Sequence, residues 1–223
     1  MNKLSCIAGL LLAGLAGASA AQTAHTFYLG AAHINVRANA TPLTNSSVPD
    51  ARLTVGDQDT VGFGYSYRFA AAWSAELALG LPPAHKVYGA GALEPFGQIS
   101  VVEQMPPSVF LNYHFENVLP KFSPFVGLGI NYTRFSKTRS TLSGNLASGG
   151  PTDISLKDSW GLAGHIGATV QFSKNWSLVT TIAMAHVRSD MTAVTHIGET
   201  TVTRGSDINF RPIVTTLSLG YSF

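Results

Sequence analysis

Apolar and polar side chains alternate with a two-residue period along most of the chain, most cleanly over residues 60–69. Val61, Phe63, Tyr65, Tyr67 and Phe69 fall on one face there; Thr60, Gly62, Gly64, Ser66 and Arg68 fall on the other. Successive strand side chains point to opposite faces, so this period predicts β-strand. After Ala70-Ala71-Ala72 the pattern resumes, with Trp73, Ala75, Leu77, Leu79 and Leu81 opposed to Ser74, Glu76, Ala78 and Gly80. The two runs predict a hairpin.

The same alternation predicts strands over 108–115, 125–133, 160–172, 176–185 and 210–223, with a less regular first strand near 26–36. That makes eight. The last one ends on the chain's final residue, with Tyr221, Leu219 and Leu217 on the face of Phe223 and Ser222, Gly220 and Ser218 on the other. Short links at 70–72, 116–123 and 173–175 alternate with long ones at 37–59, 82–104, 136–158 and 189–209. Short turns on one side and long loops on the other are the asymmetry of a bacterial outer-membrane barrel with both termini in the periplasm. Tyr67, Phe69, Trp73, Tyr113, Phe115, Phe172, Trp176, Tyr221 and Phe223 all fall near strand ends on the short-turn side, where an aromatic girdle belongs.

Charge placement separates this reading from a soluble β-sandwich. In the clearest runs no residue of the apolar parity is charged, while Arg68, Glu76, His114 and His165 take the other parity. An Arg or Lys facing lipid at mid-membrane costs about 2–4 kcal/mol, and a sandwich would set its polar face outward. Composition agrees: charged residues are 12% of the chain and glycines number 22, against about a quarter charged in soluble domains. The predicted fold is an all-β, eight-stranded antiparallel transmembrane barrel, a single domain over 21–223. A formal charge of +2 gives no reason to expect a nucleic-acid partner.

Lys3, the apolar stretch Leu4–Gly17 and Ala18-Ser19-Ala20 read as a cleaved secretory signal over residues 1–20. The only cysteine, Cys6, leaves with it, so the mature chain has no thiol chemistry. The seven histidines are scattered without ligand spacing, and neither a metal nor a cofactor is expected. His186, Ser189 and Asp190 gather near one strand exit, but Ser and Asp there are ordinary loop chemistry, and no enzyme is expected.

Several strings resemble the outer-membrane protein W (OmpW) family: Phe122-Ser-Pro-Phe-Val-Gly-Leu-Gly-Ile-Asn-Tyr-Thr-Arg-Phe135, Leu156-Lys-Asp-Ser-Trp-Gly-Leu-Ala163, the Met105-Pro106-Pro107 and His85-Lys86 groups, and the Gly-Tyr-Ser-Phe terminus. The resemblance spans essentially the whole mature chain. It implies a barrel that passes small hydrophobic molecules into the membrane through a side opening.

Pro106 and Pro107 start the fourth strand, and proline has no N–H to give a ladder. They either leave a gap in the wall, bordered by Leu81 and Pro82, or simply end a loop. Arg68 and Glu76 are expected to form a lumenal ion pair that closes the barrel floor, since buried charges need partners. Ala78, Gly80, Phe110, Phe125, Ala183 and Ala185 are the expected lumen lining. Ala78 and Ala183 depart from the bulky apolar residues that the resemblance implies at those positions, which predicts a roomier cavity. Expected partners are outer-membrane lipids, small hydrophobic solutes and the barrel assembly machinery, the last through Tyr221 and Phe223. A structural or adhesive barrel with a filled interior and partner-binding loops is the alternative.

Overall fold

A computed structural model describes residues 25–116 and 118–223; the signal segment 1–20 lies outside the described residues. The strands, in chain order, are β1 (His25–Ala40), β2 (Ala51–Val55), β3 (Gln58–Ala70), β4 (Trp73–Gly80), β5 (Ala84–Gly91), β6 (Gln98–Met105), β7 (Ser108–His114), β8 (Phe122–Ser140), β9 (Thr152–Leu156), β10 (Ser159–Gln171), β11 (Trp176–Ala185), β12 (Val187–Ile197) and β13 (Thr200–Ser222). A short helix, α1 (Leu142–Ser148), follows β8. Eight strands close a hydrogen-bonded ring in the order β1, β3, β4, β7, β8, β10, β11, β13 and back to β1, every pair antiparallel. The predicted barrel is therefore the observed one.

Register lines up the outward rows that the alternation predicts. Phe27 stands opposite Tyr65 and Tyr221, and Leu29 opposite Phe63 and Leu219. Leu128 and Leu162, on the same outer face, are 79% and 76% exposed, a placement that makes sense only with hydrocarbon outside. From Trp160 to Phe172 the outward row runs about 40 Å along β10. A tilt of about 45° shortens that to about 29 Å, the thickness of a bilayer core. At the end where His25 and Phe223 lie, Trp73–Tyr113, Tyr113–Phe115, Trp176–Tyr221 and Phe27–Phe223 pack ring against ring, completing the girdle. A second aromatic pair, Tyr132–Trp160, marks the other edge of the belt.

The long links are not loops. Most of 82–104 and 189–209, and nearly half of 37–59 and 136–158, continues as β-structure that lengthens the barrel beyond the membrane belt. β12 pairs with β13 and β9, β2 with β5, β5 with β6, and β6 with the far half of β8. Alternation persists there in the same register, but with the polarity of the two faces reversed. Along β13 the outward residues change from Leu219 and Leu217 to Arg211, Asn209 and Asp207, while Phe210 and Ile208 turn inward and are buried. Water has replaced lipid outside, so apolar side chains move to the interior. A buried apolar core including Leu53, Val87, Val102, Phe135, Met191, Ile208 and Phe210 fills this extended end.

Candidate permeation cavity

Inside the belt, an eight-stranded barrel is only wide enough for side chains or one small ligand, so each large inward side chain needs a small neighbour. Tyr28 stands between Gly64 and Gly220 in cross-strand register. A methyl at Gly129 would run into the Phe110 ring, and one at Gly127 into Asn112 and His165. These glycines let the lower lumen fill completely. Asn112 Nδ2 donates to Glu76 Oε2 at 2.6 Å, and its Oδ1 accepts from His165 Nε2 at 2.7 Å. Phe110 stacks on His165 at 4.1 Å between centroids, Phe125 packs edge-on to the same ring, and Ser74 bonds His114. All of these groups belong to a polar floor at the level of β7.

The floor is not closed by the expected ion pair. Arg68 reaches instead the Ala71 carbonyl at 2.8 Å and Glu116 at 3.8 Å, while Glu76 is held by Asn112. Register explains the difference. Glu76 stands opposite Ser66 and Arg68 opposite Ser74, nearer the turn, where the guanidinium finds partners of its own. Phe125 is likewise a floor residue, buried against His114 and His165, rather than part of the cavity lining.

Above the floor lies a cavity of about 170 Å³, enough for several waters or one small solute. Ala78, Gly80, Phe110, Ala183 and Ala185 line it, together with Ala32, Ile34, Val179 and Val214. Small residues at Ala78 and Ala183 leave this space.

One wall of the cavity is incomplete. The β4–β7 ladder ends at the Ala78–Ser108 rung. Next along that seam comes a bond from Gln104 N to the Pro83 carbonyl at 3.3 Å. Between them, Leu79–Pro82 faces Met105–Pro107, and neither proline has an N–H to offer. β4 is tied only to β3 here, through Leu81 N to Val61 O and Thr60 Oγ1 to Leu81 O. The prolines are tied to β8 and to their own strand: Tyr132 N donates to Pro107 O, Asn131 Nδ2 to both proline carbonyls, and Ser108 Oγ to Pro106 O. The cavity lining accordingly includes residues of both parities, inward Ala78 and Gly80 with outward Phe63 and Leu79. Leu81 and Pro106 line it too. Pro82 is exposed and does not; buried Pro83 takes its place, and Pro107 stands behind Pro106. On the opposite side the lining reaches outward Met184.

A second cavity of about 30 Å³ occupies the extended end, lined by Leu53, His85, Val102, Phe135, Leu156 and Ile208 among others. Gln104 and Phe210 line both spaces and so stand between them. Sequence reading missed Pro83, Gln104 and Phe210. Phe210 had the inward parity of the last strand; Pro83 and Gln104 lay in a segment taken for loop.

Ser189 is buried and donates to the Lys157 carbonyl, whereas Asp190 is exposed and bonds Lys157 Nζ. His186, Ser189 and Asp190 therefore do not form a catalytic group.

A family model described as OmpW family matches residues 25–223. The chain belongs to the OmpW family. It is 30% identical over 224 residues to outer membrane protein W of Escherichia coli (strain K12), with all of both chains covered. It is 26% identical over 199 residues to the dibenzothiophene metabolism operon protein PahQ of Pseudomonas aeruginosa, covering 89% of this chain and 88% of that one. Among solved structures, the crystal structure of the outer membrane protein OprG from Pseudomonas aeruginosa superposes with a TM-score of 0.80 at 23% identity, covering 90% and 96% of the two chains. The protein is an outer-membrane barrel of Gram-negative type, and it is not an enzyme.

Proposed function

We propose that the protein is a passive conduit that takes small apolar molecules from outside the cell and releases them sideways into the outer membrane. The extended end faces outward, and both termini lie in the periplasm. A solute enters the apolar space of the extended end, passes Gln104 and Phe210, occupies the barrel cavity and leaves between β4 and β7. The observation that supports this most is the mixed parity of the cavity lining, where Ala78 and Gly80 meet Phe63 and Leu79. Leaving sideways spares the solute a return to water, and each buried CH₂ contributes about 0.8 kcal/mol toward entering the membrane. The polar floor closes the straight route, so no water-filled pore is required. That PahQ carries dibenzothiophene metabolism in its name, an apolar aromatic context, fits the same reading.

The test is transfer of n-octane into liposomes containing the purified barrel, alongside ion conductance in a planar bilayer. Accelerated octane transfer with negligible conductance is expected. A barrel no faster than protein-free liposomes for every apolar solute would overturn the conduit and leave a structural or adhesive barrel.

A further inference from the structure

The outer wall just past the apolar belt carries charges that conduction does not use. β1 and β13 bring Arg37 and Arg211 directly opposite one another, both exposed on the outer parity. Opposed residues have Cβ atoms about 5 Å apart, and like charges so placed repel. Arg188, exposed on β12 opposite Asn209, adds a third guanidinium one row further along. None of the three makes an ion pair with a carboxylate among the described residues. Elsewhere in the extended end, Arg52, Lys137 and Lys157 each have an acidic partner, while Lys86, Arg134 and Arg139 are exposed without one among the described residues.

Their height matters. The same-face row immediately below Arg37 and Arg211 is Asn35, Ile213 and Met184, and Met184 is 56% exposed. One same-face step is about 7 Å. On the β11 and β13 side the guanidinium groups thus stand just above the apolar belt; on the β1 and β3 side the outer face is already polar lower down, at the exposed His33–Asp59 pair.

We propose that Arg37, Arg211 and Arg188 form a binding site for a phosphate carried by a lipid of the surrounding leaflet. A phosphate between Arg37 and Arg211 turns a repulsive pair into two charge-assisted, forked contacts. The acyl chains of the same molecule run down over Met184, Ile213 and Leu217, which a free phosphate does not exploit. With the extended end outward, as proposed above, the lipid is a phosphorylated glycolipid of the outer leaflet.

The test uses the full mature barrel in detergent, read by native mass spectrometry. Wild type and the Arg37→Gln/Arg211→Gln variant are titrated with diphosphorylated glucosamine lipid (lipid A), with the same lipid dephosphorylated, and with inorganic phosphate. Wild type should favour the phosphorylated lipid over both others. The double variant should bind it about tenfold more weakly, a loss of about 1.4 kcal/mol. Lys121→Gln/Lys174→Gln, in the exposed turns of the opposite end, should bind as wild type does. Equal binding of phosphorylated and dephosphorylated lipid, unchanged binding by the double variant, or inorganic phosphate bound as tightly as the lipid would each overturn the site. Octane transfer reads the conduit separately, so either idea can fail without the other.

Discussion

Ala78 and Ser108 form the last rung between β4 and β7, and beyond them the wall of the barrel is held only from its two sides. Pro106 maintains that state, because its nitrogen cannot donate toward the free Leu79–Leu81 edge, whereas Pro107, whose carbonyl accepts from Tyr132 N, faces β8. Replacing both with Val supplies one N–H toward that edge, at 106, and one toward β8, at 107. Octane transfer by the Pro106→Val/Pro107→Val variant should fall by about tenfold, a barrier higher by about 1.4 kcal/mol. Transfer at the wild-type rate, in a variant that still runs as a folded barrel on unheated gels, would rule out the β4–β7 exit.

Phe210 and Gln104 stand between the two cavities, and Phe210 also packs on Phe135 at 5.7 Å between centroids. Phe210→Ala joins the spaces. Transfer of a three-ring aromatic such as phenanthrene should rise relative to octane, because the wider solute gains more from the opening. The truncation costs about 3–5 kcal/mol of stability, so Gln104→Ala serves as the milder companion, with a smaller shift in the same direction. No change in the phenanthrene-to-octane ratio in either variant would place the limiting step elsewhere.

The membrane part of the fold was legible because lipid imposes one rule on every strand: apolar outward, charge inward. Leu128, Leu162 and Leu219 announce their parity without knowledge of their neighbours. The extended end obeys the opposite rule, and its strands, such as Val187-Arg-Ser-Asp-Met191, look like loop when only lipid-facing runs are sought. Site residues divide the same way. Ala78, Ala183 and Phe110 follow from parity alone. The partners of Arg68 and Glu76 depend on cross-strand register, which fixes Glu76 beside Asn112 and sends Arg68 toward Glu116; no pattern within one strand contains that information.

The floor should be a stability element. Asn112 donates to Glu76 and accepts from His165 within a nearly dry interior, being itself 1% exposed. Asn112→Leu leaves both neighbours without that partner, at about 1–3 kcal/mol for each group left unsatisfied. Thermal unfolding of the detergent-solubilised barrel, followed by loss of heat-modifiable migration, should shift to clearly lower temperature. Glu76→Gln keeps an acceptor for Asn112 Nδ2 and should shift it much less. Equal midpoints for Asn112→Leu and wild type would show that the network contributes nothing.

The extended end should weaken in acid through His85. Its ring is buried, and Nδ1 lies 3.1 Å from the Gly56 carbonyl, which can only accept; Nδ1 therefore carries the proton and the neutral ring leaves Nε2 bare. Burial holds its pKa below the ordinary histidine value, against smaller opposing effects of the Gly56 carbonyl and the Asp57 charge. Between the depressed folded value and the ordinary unfolded one, the unfolded chain binds the proton and the folded chain does not, so stability rises with pH across that window. Lowering the pH from about 7.5 to about 5 crosses the unfolded value near 6.5 and should destabilise the packing around His85. Amide exchange of β5 and β6, measured by mass spectrometry and corrected for intrinsic rates, should quicken on acidification while the belt strands stay protected. In His85→Gln the acid-induced quickening should largely disappear. Acid sensitivity of the same size in that variant would assign it to another group.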